Sequence, residues 1–381
     1  MTTAPLSHGP VGIGVIGAGM ISDTYLDNLT RFPDVRVVHV GDLDPERARQ
    51  RAEQHGVPRF GTPDDVLAEP EVELVVNLTI PAAHAAVSSA ALTAGKHVWS
   101  EKPIGIERES AKALIEQADA AGLLLGVAPD TVLGPAFQTA RRVIESGAIG
   151  DLMAAQTVLQ YAGPDLFHPS PEFLFAPGGG PVFDVGPYIL TELVLLFGPV
   201  VRVSAVAPPA RPQRTILVGD RAGETFPVGV PTHVSALLEF ASGAVSQTLL
   251  SFETPVSRQG IFEVHGTTAS LQLGDHNLFT DNVLISQAVT ASSKLRDQPV
   301  WDEIAPQGVD VGRGVGALDM ARAIRAGGQP LASGRLAYHV LDIMASIDDA
   351  IREHRTVELT SATDPVPVLP EDFDPYASTL G

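Results

Sequence analysis

The stretch VGIGVIGAGMISDTYLDNL, residues 11–29, decides the fold of this chain. An apolar run leads to Gly17, Gly19 and Ser22, which form a GxGxxS pattern, and an amphipathic segment follows. In such a strand-to-helix turn the first glycine allows the tight bend, the second lets the backbone approach a pyrophosphate, and the small third residue lets the helix pack closely. The helix N-terminus then faces the anion, so the stretch predicts a dinucleotide site.

An acid at the end of the next apolar run supports this prediction. Asp42 closes VRVVHVGD and lies about twenty residues after Ser22, where a ribose-binding carboxylate is expected. A carboxylate there binds the ribose hydroxyls and repels a 2′-phosphate, so NAD is predicted and NADP is less favoured. Arg47 and Arg49 could still attract a phosphate. The alternative is an ordinary turn with a surface aspartate. The glycine motif, the βαβ pattern and the acid together disfavour that alternative.

The pattern around this stretch predicts an α/β fold with two domains. Strand-length apolar runs alternate with helical segments up to about residue 130, which indicates a doubly wound, mostly parallel Rossmann sheet. The predicted strands are 11–16, 35–40, 73–78, 96–100 and 123–128, and residues 107–122 predict a helix that Gly122 ends. The predicted domains are an NAD-binding domain at 1–130 and a substrate-binding and oligomerisation domain at 131–381.

The predicted second domain has a different sequence pattern. Residues 234–253, VSALLEFASGAVSQTLLSFE, predict a β-hairpin turning at ASGA, and such segments indicate an α/β domain with an open, mainly antiparallel sheet. The Pro-rich segments at 206–213 and 363–375 predict irregular chain.

Composition limits the function. A formal net charge of −20 disfavours nucleic acid and anionic membranes as partners, and the absence of cysteine excludes disulfides and thiolate chemistry. The N-terminal MTTAPLSHGP lacks the pattern of a secretion signal, and no apolar run has transmembrane length, so a cytoplasmic protein is expected. The 11 histidines include no HExxH or comparable pair, so no metal site is predicted.

Three segments resemble the Gfo/Idh/MocA oxidoreductases, relatives of glucose–fructose oxidoreductase and inositol dehydrogenase. SEKPIG at 100–105 resembles the Glu-Lys-Pro signature of that family, NLTIPAAH at 77–84 is a further match, and PGGGPVFDVGPYILTEL at 177–193 is similar to its GGG-x-x-x-D-x-G-x-H segment. Tyr188 stands where the family usually has histidine, and Thr191 stands where it often has an acid. APDTVLGP at 128–135 lacks the Asn and Arg that many relatives carry.

The resemblance implies a set of site residues in a cleft between two domains. Cofactor contacts are expected from Gly17, Gly19, Met20, Ile21, Asp42, Thr79, Pro81, His84, Glu101 and Lys102. Substrate contacts are expected from Lys102, Asp130, His168, Asp184 and Tyr188, and the catalytic residues are expected to be Lys102, Asp184 and Tyr188.

The residues themselves leave alternatives open. Lys102 follows a predicted parallel strand at the edge where α/β proteins bind ligands, although a solvated lysine is the ordinary alternative. From spacing alone, Asp184 reads as a helix N-cap and Tyr188 as a packing residue, both on one face of a first helical turn; the resemblance reverses that preference. His84 can pack locally at a helix start, and His168 can be a plain loop residue.

Hydride transfer between NAD and a secondary alcohol of a sugar or polyol is the predicted reaction. It needs a base for the hydroxyl proton and a cation for the developing alkoxide, and Tyr188 is placed narrowly ahead of Lys102 as the base. Two other classes are considered, namely an NAD-dependent glycoside-cleaving enzyme or lyase that oxidises the sugar transiently, and a non-catalytic nucleotide sensor. A homodimer or homotetramer is expected.

Overall fold

The computed structural model describes residues 8–288 and 299–380. The first seven residues of the segment MTTAPLSHGP lie outside the described residues. The chain divides into two compact units. The first comprises the chain up to Gly134, Gly308–Leu341 and the segment from Leu369, and the second comprises Pro135–Gln307 and Asp342–Val368.

The first unit carries a parallel sheet of six strands. The strand order is β3-β2-β1-β4-β5-β6, and every neighbouring pair is parallel. This is the order of a doubly wound dinucleotide-binding fold, as predicted. The elements are β1 Val11–Ile16, α1 Met20–Leu29, β2 Val35–Gly41, α2 Pro45–His55, β3 Arg59–Gly61, α3 Pro63–Ala68, β4 Leu74–Asn77, α4 Pro81–Thr93, β5 His97–Ser100, α5 Arg108–Ala121 and β6 Leu125–Val127.

Most sequence-predicted elements of this unit are confirmed. The strand predicted at 11–16 has the same bounds in the structure, and α5 ends at Gly122, which adopts the left-handed conformation with φ +66°. The edge strand β3 was missed, because it has three partly exposed residues and no apolar run.

Two helices lie later in the chain: α9 Val315–Ala326 in the first unit, and α10 Gly334–Glu353, whose residues from Asp342 onward belong to the second unit. Residues 308–341 belong to the first unit, whereas the sequence analysis placed them in the second domain. The physical reason is the packing of the fully buried Trp99. A Cβ at Gly316 of α9 would lie 2.0 Å from the Trp99 ring, and one at Gly126 would lie 2.8 Å from it. Only glycine lets these backbones approach the indole so closely.

The second unit is built on a nine-stranded sheet of order β16-β15-β14-β13-β7-β12-β11-β8-β17. All neighbouring pairs are antiparallel except β7 and β12, so the predicted mainly antiparallel sheet is confirmed. The elements of the second unit are α6 Pro135–Glu145, β7 Leu152–Gln160, α7 Gly180–Asp184, α8 Gly186–Phe197, β8 Val200–Val206, β9 Gln213–Thr215, β10 Thr225–Pro227, β11 His233–Phe240, β12 Val245–Ser251, β13 Arg258–Gly266, β14 Ala269–Leu273, β15 Val283–Gln287, β16 Asp302–Ile304 and β17 Val357–Glu358. Strands β9 and β10 form a separate two-stranded sheet.

The hairpin predicted at 234–253 is present as β11 and β12. Buried and more exposed residues alternate along β11, since one face of the sheet is covered and the other is open. Helices α7 and α8 contact strands β11, β12 and β7.

Candidate functional site

The glycine turn after β1 has the geometry that the motif requires. Gly17 has φ +104°, and a Cβ there would lie 2.7 Å from the Leu78 backbone, so only glycine fits. A Cβ at Gly19, the N-cap of α1, would meet no described atom within 4 Å. Ser22 is fully buried and its hydroxyl donates to the Gly19 carbonyl at 2.6 Å. The turn therefore presents an open helix N-terminus that fits a pyrophosphate.

Asp42 is fixed beside this turn. Its Oδ2 accepts a hydrogen bond from the Ala18 N–H at 2.7 Å, and its Oδ1 accepts one from the Asp44 N–H at 2.9 Å. The guanidinium of Arg47 lies 3.6 Å from Oδ1. The carboxylate thus sits at the carboxyl end of β2 next to the glycine turn, which is where the ribose hydroxyls of a dinucleotide are bound.

The two arginines that could attract a phosphate differ in their surroundings. Arg49 is paired with Glu46 and Glu53 at 2.6 Å and lies in a charge network along α2. Arg47 faces a surface cavity of about 500 Å³ that Ala18, Gly19 and Met20 also line. Arg47 is therefore the arginine relevant to cofactor choice.

Exposed apolar side chains surround the same sheet edge. Met20 at the start of α1 is 74% exposed, Leu43 directly after Asp42 is 92% exposed, and Ile80 before α4 is 62% exposed. Flat heteroaromatic rings bind against such apolar groups. Sequence analysis named Met20 but missed Leu43 and Ile80; the signal available was an apolar residue directly after the ribose acid and another at a helix N-cap.

The loop after β4 lies at the same sheet edge. The Asn77 side-chain oxygen accepts hydrogen bonds from the Thr79 hydroxyl at 2.7 Å and the Thr79 N–H at 3.2 Å, and Pro81 begins α4. His84 is buried, with one ring nitrogen 2.7 Å from the Pro103 carbonyl and the other 3.0 Å from the Thr79 carbonyl. Burial lowers the pKa of His84 despite these carbonyls. Both ring nitrogens of His84 therefore face backbone oxygens, and a contact of His84 with the cofactor stays a prediction.

Lys102 follows β5 at this edge. Its N–H donates to Oε2 of Glu101 at 3.1 Å, and its peptide bond to Pro103 is cis. Glu101 is buried, and its other oxygen accepts a hydrogen bond from the Tyr25 hydroxyl at 2.8 Å. Both Glu101 oxygens are therefore used within the protein, so Glu101 supports the loop and does not offer a free carboxylate to the cofactor.

Asp130, expected to contact the substrate, is fully buried within the first unit. Its Oδ2 accepts hydrogen bonds from the N–H groups of Gly314 and Gly316 at 2.7 and 3.3 Å, and Arg313 lies 3.8 Å from its Oδ1. The carboxylate caps the start of α9, where backbone N–H groups lack helical partners. The structure therefore assigns Asp130 a structural role and corrects the expected substrate contact.

The buried Asp130 predicts a pH dependence of stability. Burial, opposed by Arg313 and the two glycine N–H groups, raises the pKa of Asp130 from 3.8 to about 6. The folded protein holds this proton more tightly than the unfolded chain, so the stabilisation is complete below about pH 4 and is lost as the pH rises through about 6. We expect Asp130→Asn to flatten this slope, changing its unfolding free energy relative to wild type by about 2 kcal/mol between pH 4 and 7.

Urea unfolding at a series of pH values measures this change. Asp220→Asn, at an exposed loop position, is the matched control and should keep the wild-type slope. Parallel pH profiles for wild type and Asp130→Asn would contradict the assignment.

Asp184 and Tyr188 lie in the second unit. The sequence analysis expected one helical turn to present both, but α7 ends at Asp184 and α8 begins at Gly186, so they belong to two helices. Tyr188 is 8% exposed and Asp184 is half-buried. Burial raises the pKa of Tyr161, and the negative charge of the Asp184 carboxylate raises it further.

His276 was missed by sequence reasoning. Its buried ring lies 5.7 Å from the Tyr188 ring, tilted by 51°. Glu192, one turn after Tyr188 on α8, is also buried. Its burial raises the pKa of Glu192, and the negative charge of Asp275 raises it further. The structure thus places the His276 imidazole beside Tyr188. The family resemblance leads one to expect a histidine at position 188 itself. Because the two residues are far apart in the chain, no local pattern signals this contact.

His168 lies in a loop of the second unit. Its Nδ1 accepts a hydrogen bond from the Ser170 N–H at 3.0 Å, and its ring packs edge-on against Phe173 at 5.3 Å. The loop is fixed at Asp165, whose carboxylate binds the buried Arg214 with an Nε to Oδ2 distance of 3.1 Å. His168 is partly exposed and remains a prediction for substrate contact.

Two features of the described residues bear on metal binding and on membrane insertion. Within 8–288 and 299–380, no group of three or more His, Asp or Glu side chains is placed to hold a metal ion. In that same part of the chain, every helix is too short or too polar to cross a membrane.

A parallel sheet of this order, with a glycine turn and a ribose acid, defines a dinucleotide-binding protein. The family profile "Oxidoreductase family, NAD-binding Rossmann fold" matches residues 11–128, and the GFO/IDH/MocA C-terminal domain profile matches residues 137–272. The chain belongs to the Gfo/Idh/MocA family of NAD-binding oxidoreductases.

Several curated relatives and solved structures are similar to this chain. Trans-1,2-dihydrobenzene-1,2-diol dehydrogenase from Bos taurus is 29% identical over 265 residues, which cover 69% of this chain and 73% of that protein. Levoglucosan dehydrogenase in complex with NADH has a TM-score of 0.78 at 22% identity, covering 94% of this chain and 100% of that one. An NAD binding oxidoreductase from Klebsiella pneumoniae has a TM-score of 0.79 at 21% identity, covering 93% and 100%. The structural similarities show a shared fold.

Proposed function

We propose that this protein oxidises a secondary alcohol of a sugar, polyol or cyclic diol, with NAD as hydride acceptor. The observation that carries the proposal lies within the first unit. Lys102, the glycine turn and Asp42 all follow parallel strands of one sheet, at its carboxyl edge. A cation with a fixed backbone therefore stands at the same edge as the elements that fit a dinucleotide.

The cofactor contacts belong to this proposal. Gly17 and Gly19, with Met20 and Ile21 at the start of α1, would hold the pyrophosphate, and Asp42 the adenosine ribose. Thr79, Pro81 and Lys102 would lie towards the nicotinamide, supported by His84 and Glu101. When bound, NAD supplies an electrophilic carbon that accepts the hydride from the alcohol carbon.

The side-chain roles follow from what alcohol oxidation requires. The substrate hydroxyl must lose its proton as the hydride leaves, and the oxygen gains negative charge. Lys102 would hold that oxygen and stabilise the charge. Tyr188 would accept the proton, with His276 beside its ring, and Asp184 is proposed as a further catalytic residue. His168 is proposed to bind a further substrate hydroxyl.

Two relatives support the substrate class. Their names specify a cyclic diol and the sugar derivative levoglucosan as the compounds that those proteins dehydrogenate. Both compounds carry hydroxyl groups on ring carbons. We therefore place cyclic secondary alcohols first among the candidate substrates.

Net NADH formation from a panel of sugars, polyols and cyclic diols tests the function. We expect NADH and a ketone product in equal amounts from at least one cyclic secondary alcohol. Cleavage of a glycoside without net NADH would instead indicate the transient-oxidation class. Tight NAD binding with no turnover of any compound would indicate a nucleotide sensor.

The position of Asp42 predicts a preference for NAD over NADP. Its carboxylate would lie against a 2′-phosphate, which costs binding free energy because two anions are brought together. We expect at least about tenfold tighter binding of NAD by wild type, and a reduced preference in Asp42→Ala. Fluorescence titration with both nucleotides measures this preference.

Asp64→Ala is the matched control, because Asp64 is an exposed aspartate in the first turn of α3. It should keep the NAD preference. Equal or tighter NADP binding by wild type would mean that Arg47 dominates and would contradict the prediction.

We also propose that the protein forms a homodimer or homotetramer through the open face of the nine-stranded sheet. Leu237 and Val206 on this face are exposed apolar residues, and a cavity of about 660 Å³ lies on strands β7, β8, β11 and β12. Exposed apolar patches of this kind favour association. Light scattering after size-exclusion chromatography measures the oligomer size. A cytoplasmic location stays a prediction.

A further inference from the structure

A chain of hydrogen bonds lies directly behind Lys102. The Trp99 indole Nε1 donates to the Tyr25 hydroxyl at 3.4 Å, and that hydroxyl donates to Oε1 of Glu101 at 2.8 Å. The second oxygen of Glu101 accepts the Lys102 N–H at 3.1 Å. The series therefore runs from Trp99 on β5, through Tyr25 on α1, to the backbone of Lys102.

Burial and charge fix the direction in which the Tyr25 hydroxyl donates its hydrogen bond. Tyr25 and Trp99 are fully buried, so the phenol exchanges no hydrogen bonds with bulk water. Burial raises the pKa of Tyr25 well above 10, and the nearby carboxylates of Glu101 and Asp130 raise it further. The phenol keeps its proton, and because Trp99 donates to its oxygen, that proton is directed to Glu101.

The phenol is also rigidly placed. Tyr25 belongs to the hydrophobic core of the first unit, together with Leu26, Leu29 and Trp99. It lies on α1, the helix that begins at the glycine turn. Glu101 is thereby held by a donor that cannot shift without repacking the core.

The other side of Lys102 is held separately. The Pro103 carbonyl lies 2.7 Å from a ring nitrogen of His84. The backbone on both sides of Lys102 is thus tied to buried side chains. A small displacement of such a group costs catalytic rate, because reacting groups must be aligned closely.

We propose that Tyr25 is a positioning residue that acts through Glu101 to fix Lys102. The effect on catalysis rests on the proposed function, whereas the effect on the Lys102 backbone does not. Tyr25→Phe keeps the buried ring and removes the donor. Hydrogen bonds to charged groups contribute about 1.5–3 kcal/mol, so removal of this one should loosen the loop by about 10- to 100-fold.

Hydrogen–deuterium exchange of the protein without nucleotide is the first measurement. We expect the peptide containing the Lys102 amide to exchange at least about tenfold faster in Tyr25→Phe, while peptides of the second unit keep their rates. The second measurement is steady-state kinetics, where kcat should fall by about tenfold or more and the Kd for NAD should change less than about threefold.

Glu101→Gln separates positioning from general packing. If Tyr25 acts through the Glu101 carboxylate, adding Tyr25→Phe to Glu101→Gln should change the Lys102 exchange rate and kcat much less than it does in wild type. Unchanged exchange in Tyr25→Phe, or equal effects in both backgrounds, would overturn the proposal. Should Tyr25→Phe fold poorly, Glu101→Gln alone must accelerate exchange at Lys102, and unaltered exchange there overturns it.

The outcomes also separate this inference from the proposed function. Faster exchange at Lys102 with no turnover of any alcohol by wild type would support the positioning role and contradict the oxidation proposal. Turnover by wild type, together with full kcat and unaltered exchange in Tyr25→Phe, would support the oxidation proposal and contradict the positioning role.

Discussion

Lys102→Ala should abolish alcohol oxidation while leaving NAD affinity within about tenfold of wild type. The lost ammonium group would no longer stabilise the developing alkoxide, and loss of one such preorganised donor costs about 10²- to 10³-fold or more in kcat. The nucleotide contacts at Gly19 and Asp42 do not depend on this side chain. NADH formation and fluorescence titration of NAD measure the two quantities separately.

Lys112→Ala is the matched control for this variant. Lys112 is an exposed lysine on α5 that lies 3.9 Å from Glu116, and its loss should leave kcat and NAD affinity unchanged. Substantial residual turnover in Lys102→Ala would contradict the assigned role. A large loss of NAD affinity would show that Lys102 binds the cofactor more than it serves the reaction.

Tyr188→Phe should lower kcat by about 10²- to 10⁴-fold, the range typical of lost general acid–base catalysis. The variant keeps the buried ring against His276 and removes the hydroxyl that would accept the substrate proton. Steady-state NADH formation by wild type and Tyr188→Phe measures this loss.

Tyr376→Phe is the matched control, because Tyr376 is partly exposed near the C-terminus and packs on Phe32. It should keep the wild-type rate. Near wild-type turnover in Tyr188→Phe would make Tyr188 a packing residue and leave the proton to Lys102.

Local sequence patterns determined the nucleotide-binding segments of the first unit. The apolar run at 11–16, the glycine turn and the acid at Asp42 act within one βαβ segment, so their spacing alone fixes how they meet. The helix ending at Gly122 and the hairpin at 234–253 are likewise local, because periodicity and turn chemistry specify them. The strand β3 was not predictable, since its pairing with β2 and not its own composition makes it a strand.

The candidate site was only partly predictable for the same reason. Lys102 and Asp184 carry recognisable motifs, but no motif states what surrounds them. Asp130 was expected at the substrate, and the structure buries it under α9, where Gly314 and Gly316 donate to it. His84 was expected at the cofactor, and the structure turns both of its ring nitrogens to backbone carbonyls.

The sequence by itself therefore determined the class of fold, the nucleotide turn and the ribose acid, because each depends on residues close together in the chain. Tertiary structure alone decided the surroundings of the catalytic candidates. It brought His276 to the ring of Tyr188, Tyr25 to Glu101, and α9 against Trp99. Such contacts join distant segments, and they form because buried polar groups must find partners and core side chains must fill space wherever the folded chain provides it.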